Sequence, residues 1–117
     1  MDTISIVKEV GSLAVSSAGG DRVAELAAEA LSAGREVELD FAGVELASTT
    51  FLNHAIGSLF GRLDEDQLVG RLKYRAATQD VEQRIARVVG NARQYYSDTR
   101  YRDAVDRATE AVAAGGM

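Results

Sequence analysis

The stretch VELDFAGVELASTTF, residues 37–51, decides the fold that we predict for this chain. Residues 37–41 alternate apolar and acidic side chains, which is typical of a strand with one apolar face. Residues 42–43 then turn the chain, and residues 44–46 form a short extended segment. The hydroxyl side chains at 48–50 are of the kind that begins a helix. The stretch therefore predicts a strand, a turn and a helix start in close succession.

A strong amphipathic pattern follows the hydroxyl cluster. Apolar residues recur at three- and four-residue spacing, which predicts a helix whose apolar stripe is wide enough to lie against a sheet. The residues of this stripe are Leu52, Ala55, Ile56, Leu59, Phe60 and Leu63. Residues 64–70 then read as a polar loop and residues 71–76 as a further strand. Thr78 is expected to cap the helix that comes next.

The segment before the central stretch is predicted to hold two short strands and a helix. Residues 3–7 and 13–16 both read as strands, and a glycine between them favours a hairpin. Residues 17–20 are predicted to form a turn, with Asp21 capping an amphipathic helix that ends at Gly34.

Strands and helices alternate along the chain, which is the order of an α/β fold with right-handed crossovers and a partly parallel sheet. Ser97 or Asp98 is expected to cap a last helix. Its apolar positions are Tyr101, Ala104, Val105, Ala108 and Val112. No linker-like stretch divides the sequence, and 117 residues are the length of one domain.

The composition excludes several kinds of site and partner. The chain has no cysteine and one histidine, so disulfides and thiolate sites are absent, and we expect neither a metal site nor a cofactor. The formal net charge is -5, the reverse of the basic balance of nucleic-acid-binding proteins, so no nucleic-acid partner is predicted. No signal peptide is visible, and no apolar run approaches the ~20 residues of a membrane span. We therefore expect a cytoplasmic protein with no membrane partner.

Residues 37–51 resemble the centre of a STAS domain, a fold found in sulphate transporters and anti-sigma factor antagonists. The shared pattern is a strand ending in a polar residue, a short apolar turn, and a Ser/Thr cluster that opens a helix. The resemblance is closer to small bacterial STAS-like proteins, whose pattern is matched here by Leu39-Asp40-Phe41 and Gly43-Val44 before the hydroxyl residues and Phe51. Arg22-Val23-Ala24 at a helix start fits the same family.

This resemblance implies a STAS-like α/β fold. We expect a mixed sheet of four to five strands, helices packed mainly on one face, and an extra C-terminal helix. The STAS-like domain would span residues 1–96, and the extra helix residues 97–114. The resemblance also implies a non-enzymatic regulatory module similar to an anti-sigma factor antagonist, which binds a GHKL-type ATPase or serine kinase in a partner-switching system. A second copy of the chain is a further candidate partner.

The predicted partner-binding surface lies around the start of the helix. Its residues are Gly43, Val44, Ser48, Thr49, Thr50, Phe51, Asn53 and His54. Antagonist STAS domains have Asp-Ser-Ser-Gly where this chain has Ala47-Ser48-Thr49-Thr50. By that alignment Thr49 occupies the phospho-acceptor position, without the neighbouring acid and glycine.

Two interpretations of the hydroxyl cluster are open from the sequence. In the first, the hydroxyl serves as the helix N-cap and has no other role, and the cap contributes ~1 kcal/mol to stability. In the second, the hydroxyl is phosphorylated, and the phosphate accepts hydrogen bonds from the free backbone N–H groups of the helix start. The phosphate would add a charge of about -1.5 to -2, which would repel a partner with a negatively charged surface.

Two other functions are alternatives to a switched regulatory module. One is a structural, oligomeric subunit in which the hydroxyl cluster is only a cap. The other is an enzyme or a small-molecule or nucleotide binder that uses Ser48, Thr49 and His54. His54 could pair with Ser48 or Ser58 as base and nucleophile, but no acid is expected close enough to orient the imidazole. No nucleophile-elbow motif is present.

Overall fold

The computed structural model describes residues 1–97, and the predicted last helix at 97–114 lies outside them except for Ser97. Strands and helices are interspersed through this part of the chain in an α/β order, as the sequence predicts. The strands are β1 (Asp2–Ser5), β2 (Leu13–Ala14), β3 (Val37–Asp40), β4 (Leu46–Ala47) and β5 (Leu72–Arg75). The helices are α1 (Ile6–Val10), α2 (Ser17–Ser32), α3 (Thr49–Leu52), a π-helical segment (Asn53–Gly57), α4 (Leu59–Arg62), α5 (Glu65–Leu68) and α6 (Gln79–Ser97).

The strands of residues 1–97 form two parallel sheets, so the expectation of a single mixed sheet is wrong. β3 is the centre of a three-stranded sheet in the order β1-β3-β5. Val37 is paired in register with Asp2 on one side and Leu72 on the other. The second sheet holds only β2 and β4, with Leu13 opposite Leu46. All three pairings are parallel, and the helices between the paired strands supply the crossover connections that parallel pairing needs.

The predicted hairpin at the start of the chain is also wrong. The chain leaves β1 at Ser5, whose side chain accepts a hydrogen bond from the Lys8 backbone N–H at 3.3 Å and caps α1. The β-branched residues Ile6 and Val7, read as the end of a strand, are therefore helical. α1 turns the chain away from β3, so that the next strand pairs with β4 instead.

α2 begins five residues earlier than the sequence predicts. Ser16 is its N-cap, because its side chain accepts from the Gly19 N–H at 2.9 Å. Residues 17–20 are therefore the first turn of the helix, and Asp21 is not the cap. The two glycines in this turn made it resemble a loop, although an N-cap serine outweighs their low helix propensity here.

The core lies on one face of the three-stranded sheet. Val37 and Leu39 in β3 are fully buried, whereas Glu38 and Asp40 on the opposite face are half-buried. α2 and the helical run after β4 supply the other side of this core with apolar side chains. These are Val23, Ala27, Leu31, Phe51, Leu52, Ile56 and Leu59. Burying each of the larger ones is worth about 1.5–3 kcal/mol, so this layer holds the fold together.

The helix predicted after the hydroxyl cluster is present, but it is not regular. Ser58 N–H donates to the Asn53 carbonyl at 2.9 Å, five residues back, which widens the helix into a π turn. α2 packs directly against this π-helical segment. The contact needs a glycine in α2, because a Cβ at Gly20 would lie 2.6 Å from the carbonyl oxygen of Phe51.

The remaining elements agree with the sequence more closely. The strand expected at 71–76 is β5, and Thr78 Oγ1 accepts from the Val81 N–H at 3.2 Å, which confirms the predicted cap of α6. The loop expected at 64–70 instead contains α5. The start of α5 is capped by a hydrogen bond from the Asp64 N–H to Gln67 Oε1 at 2.9 Å. Within residues 1–97, no helix combines the length and the apolar character that crossing a bilayer requires.

Candidate functional site

Ser48 joins the start of α3 to the end of β2. Its hydroxyl accepts a hydrogen bond from the Phe51 N–H at 3.0 Å, as an N-cap does. The same hydroxyl donates to the carbonyl of Val15 at 3.1 Å, and the Ser48 N–H donates to Ala14 at 2.9 Å. The Ser48 hydroxyl therefore both donates and accepts a hydrogen bond within the fold, so the cap interpretation is correct for Ser48.

Thr49 and Thr50 form the exposed first turn of α3. Since Ser48 fills the capping position, neither threonine is needed for it. Their hydroxyls make no hydrogen bond to any residue in the range 1–97 that the structure describes. Both side chains are therefore available to solvent or to a partner at the positive end of the helix.

Two residues of the predicted surface belong to the core instead. Phe51 is 0% exposed and Val44 is 7% exposed. Phe51 is the third residue of α3, and the helix turns its ring inward while Thr49 and Thr50 stay outside. Gly43, Asn53 and the half-exposed His54 do reach the surface, so the predicted set is divided between the core and the surface.

An exposed apolar patch missed by the sequence analysis lies beside the two threonines. Leu13 and Leu46 face each other across the β2–β4 pair and are 57% and 40% exposed, and Val15 is 46% exposed. The alternate residues Ala14 and Ala47 point into the core. We call the surface formed by Leu13, Val15, Leu46, Thr49 and Thr50 the β2–β4 face.

Arg84 connects α6 to the residue before the N-cap of α3. Its Nη1 donates to the carbonyl of Ala47 at 2.9 Å, and its Nη2 lies 3.4 Å from the Asp80 carboxylate in the preceding turn of α6. Ala47 directly precedes the N-cap. The guanidinium therefore ties α6 to the end of β4, and the Asp80 carboxylate balances its charge.

His54 has an acidic partner, contrary to the sequence prediction. Its Nδ1 lies 2.8 Å from Asp21 Oδ1, because α2 crosses the π-helical segment at this point. However, the Ser58 hydroxyl donates to the His54 backbone carbonyl, and the Ser48 hydroxyl is the cap. Neither serine is thus set as a nucleophile activated by the imidazole. The part of the chain covered by the structure also has no group of three or more His, Cys, Asp or Glu placed to hold a metal ion.

Comparison with known proteins connects this architecture to one family. No curated protein and no solved structure matches the chain. The model of one protein family, a STAS-like domain of unknown function (DUF4325), matches residues 20–82. This match runs from the first turn of α2 to the first turn of α6 and includes β3, β4 and the hydroxyl helix start. More than half of the chain is covered, and the chain therefore belongs to this family of STAS-like domains.

Proposed function

We propose that this protein is a non-enzymatic regulatory module that binds another protein through the β2–β4 face. The observation that carries the proposal is the connection between the strand that carries part of the apolar patch and the helix start that carries the two threonines. The hydrogen bond from Ser48 to the Val15 carbonyl, 3.1 Å long, holds the first turn of α3 against the end of β2. A partner that covers Leu13 and Leu46 would therefore also meet Thr49 and Thr50.

The apolar part of this face supplies the affinity in the proposal. Leu13, Val15 and Leu46 form a cluster of exposed apolar side chains on one side of the β2–β4 pair, and such clusters often mark sites of protein binding. Full burial of each would contribute up to about 1.5–3 kcal/mol, and their present partial exposure leaves a fraction of that amount to a partner. The threonines and the helix N–H groups supply the polar rim that a protein interface needs.

The partner we propose is an ATP-binding serine kinase of the GHKL type, as the resemblance to anti-sigma factor antagonists implies. Such a partner could also modify the surface that it binds. A phosphate on Thr49 or Thr50 would lie at the positive end of α3, so that the fold would tolerate it. The added charge would stand beside Leu46 and weaken an apolar contact.

The proposal predicts that Leu46→Glu weakens partner binding at least tenfold, since a buried charge would replace an apolar contact. The partner is isolated on the immobilised wild-type protein, identified by mass spectrometry, purified, and its Kd measured by calorimetry. Val69→Glu is the matched control. Val69 is 62% exposed and lies after α5, outside the β2–β4 face. Its variant should bind with unchanged Kd.

Equal affinity of the Leu46→Glu and wild-type proteins would remove the β2–β4 face as the binding surface. A purified partner without an ATP-binding domain would remove the GHKL-type assignment. Thermal unfolding followed by circular dichroism must show that both variants are folded, because only then does the difference in Kd report on the surface.

Thr49→Asp tests the proposed switch in the same assay. We expect it to raise the partner Kd at least tenfold, while Thr49→Ser leaves the Kd unchanged. The aspartate should not unfold α3, since a negative charge in the first turn of a helix is favourable by about 0.3–1 kcal/mol. Binding of Thr49→Asp and Thr50→Asp with wild-type affinity would exclude a charge switch at this helix start.

A further inference from the structure

We propose that a second copy of the chain binds along the free edge of β1, so that two three-stranded sheets join into one continuous sheet around a two-fold axis. Among the described residues β1 has one strand neighbour, β3, and its other edge is unpaired. A groove of about 710 Å³ runs beside this edge, between β1, α1 and α2. This surface is separate from the β2–β4 face, and the inference does not depend on the proposed function.

The backbone of β1 is available for strand pairing. The Asp2 N–H donates to Glu36 at 2.9 Å, so the polar backbone groups of Asp2 point towards β3. Successive residues of a parallel strand point their N–H and C=O groups to opposite sides. Those of Thr3 therefore point into the groove. An antiparallel strand from a second copy would satisfy both groups through a Thr3–Thr3 pair.

Three apolar residues lie in the groove among a mostly polar lining. Ile4 is 9% exposed, Ala30 is 4% exposed, and the half-buried Leu26 lies between α2 and the strand edge. In the two-fold arrangement the α2 helices of the two copies approach each other above the joined sheet. Leu26, which the monomer leaves partly in water, would be covered there.

Two ion pairs mark the ends of the groove. Arg35 Nε lies 2.9 Å from Asp2 Oδ2 at the start of β1, next to the end of α2. Arg22 Nε lies 2.9 Å from Glu9 Oε2, where the beginning of α2 meets α1 after the end of β1. α2 therefore runs opposite to β1, with the end of α2 beside the start of β1.

Three charged residues that line the groove, Glu29, Lys8 and Asp40, have no ion-pair partner among residues 1–97, and Asp40 instead accepts a hydrogen bond from the Ala42 N–H at 3.0 Å. Glu29, in the last turns of α2, belongs to the end marked by Asp2 and Arg35, and Lys8 of α1 belongs to the other end. A two-fold axis through Thr3 brings the Glu29 end of one copy to the Lys8 end of the other, twice. This self-complementary arrangement is what an interface between identical chains requires, and it favours a second copy over an unrelated peptide.

Charge reversal with rescue tests the dimer. The wild-type protein should sediment as a dimer, and the dimer Kd of Lys8→Glu and of Glu29→Lys should each rise at least tenfold, because each variant places like charges at both contacts. The double variant restores opposite charges and should return to within threefold of the wild-type Kd. An equimolar mixture of the two single variants should form heterodimers. Glu82→Lys, on the exposed side of α6, is the control and should leave the dimer unchanged.

A wild-type protein that stays monomeric at several hundred micromolar would overturn the inference. So would single variants that dimerise as tightly as the wild type, or a double variant that fails to recover. Because Lys8 and Glu29 are exposed, these variants should fold, and their circular dichroism spectra verify this.

Discussion

Replacing Phe51 with alanine is expected to lower the free energy of unfolding by about 3–5 kcal/mol, the usual result of removing a fully buried aromatic ring. The Phe51 side chain is 0% exposed and packs in the layer between α2 and the sheet. A domain of this size has only about 5–15 kcal/mol of stability in total, so the variant should be close to unfolding at 37 °C. Urea denaturation followed by circular dichroism measures the change.

Leu13→Ala is the control for this experiment. Leu13 is 57% exposed, and its variant should unfold within about 0.5 kcal/mol of the wild type. The pair of variants separates a core residue from a surface residue. If Phe51→Ala were as stable as the wild type, Phe51 would lie at the surface, as the sequence predicted, and the packing described for α3 would be wrong.

Gly20→Ala is expected to destabilise the protein by about 2–3 kcal/mol, in the range of an overpacked core. The added methyl group would lie 2.6 Å from His54 Cβ, 2.6 Å from the Phe51 carbonyl oxygen and 3.0 Å from the Ala55 backbone nitrogen. Two of these three atoms belong to the backbone of the helical run after β4, so no side-chain rotation relieves the contact. α2 must instead move away from the π-helical segment.

A glycine-to-alanine substitution at Gly90 should instead raise the free energy of unfolding. Gly90 lies within α6, and a Cβ there meets no atom within 4 Å in the described structure. Gly90→Ala should therefore stabilise the protein by about 0.5–1 kcal/mol, through helix propensity and a less flexible unfolded chain. Equal effects of the two substitutions would contradict the close approach of α2 to the π-helical segment.

The order of strands and helices could be predicted because it rests on local patterns. The alternation in β3 and the apolar stripe after Thr50 are both visible in a single sequence. The boundaries were less accurate where a serine cap competed with another signal. Ser5 ends β1 although Ile6 and Val7 favour a strand, and Ser16 begins α2 although two glycines follow. In both places one side-chain hydrogen bond to the backbone decides the helix start.

The candidate site could be predicted only in part, since its contacts join distant parts of the chain. The helix start at Ser48 was correct, because capping is local. The patch of Leu13 and Leu46 depends on β2 pairing with β4, and the contact of His54 with Asp21 depends on the crossing of α2. Short strands give no sequence signal for their partner, so neither contact could be inferred from spacing.

Hydrogen–deuterium exchange of the protein, alone and bound to the partner purified on the immobilised protein, tests the central claim most directly. The account predicts slower exchange on binding in peptides that cover residues 12–16 and 45–52, which contain the β2–β4 face. Peptides covering residues 62–70 should exchange at the same rate in both states. Protection confined to α5 or α6, with residues 12–16 and 45–52 unchanged, would contradict binding through the β2–β4 face.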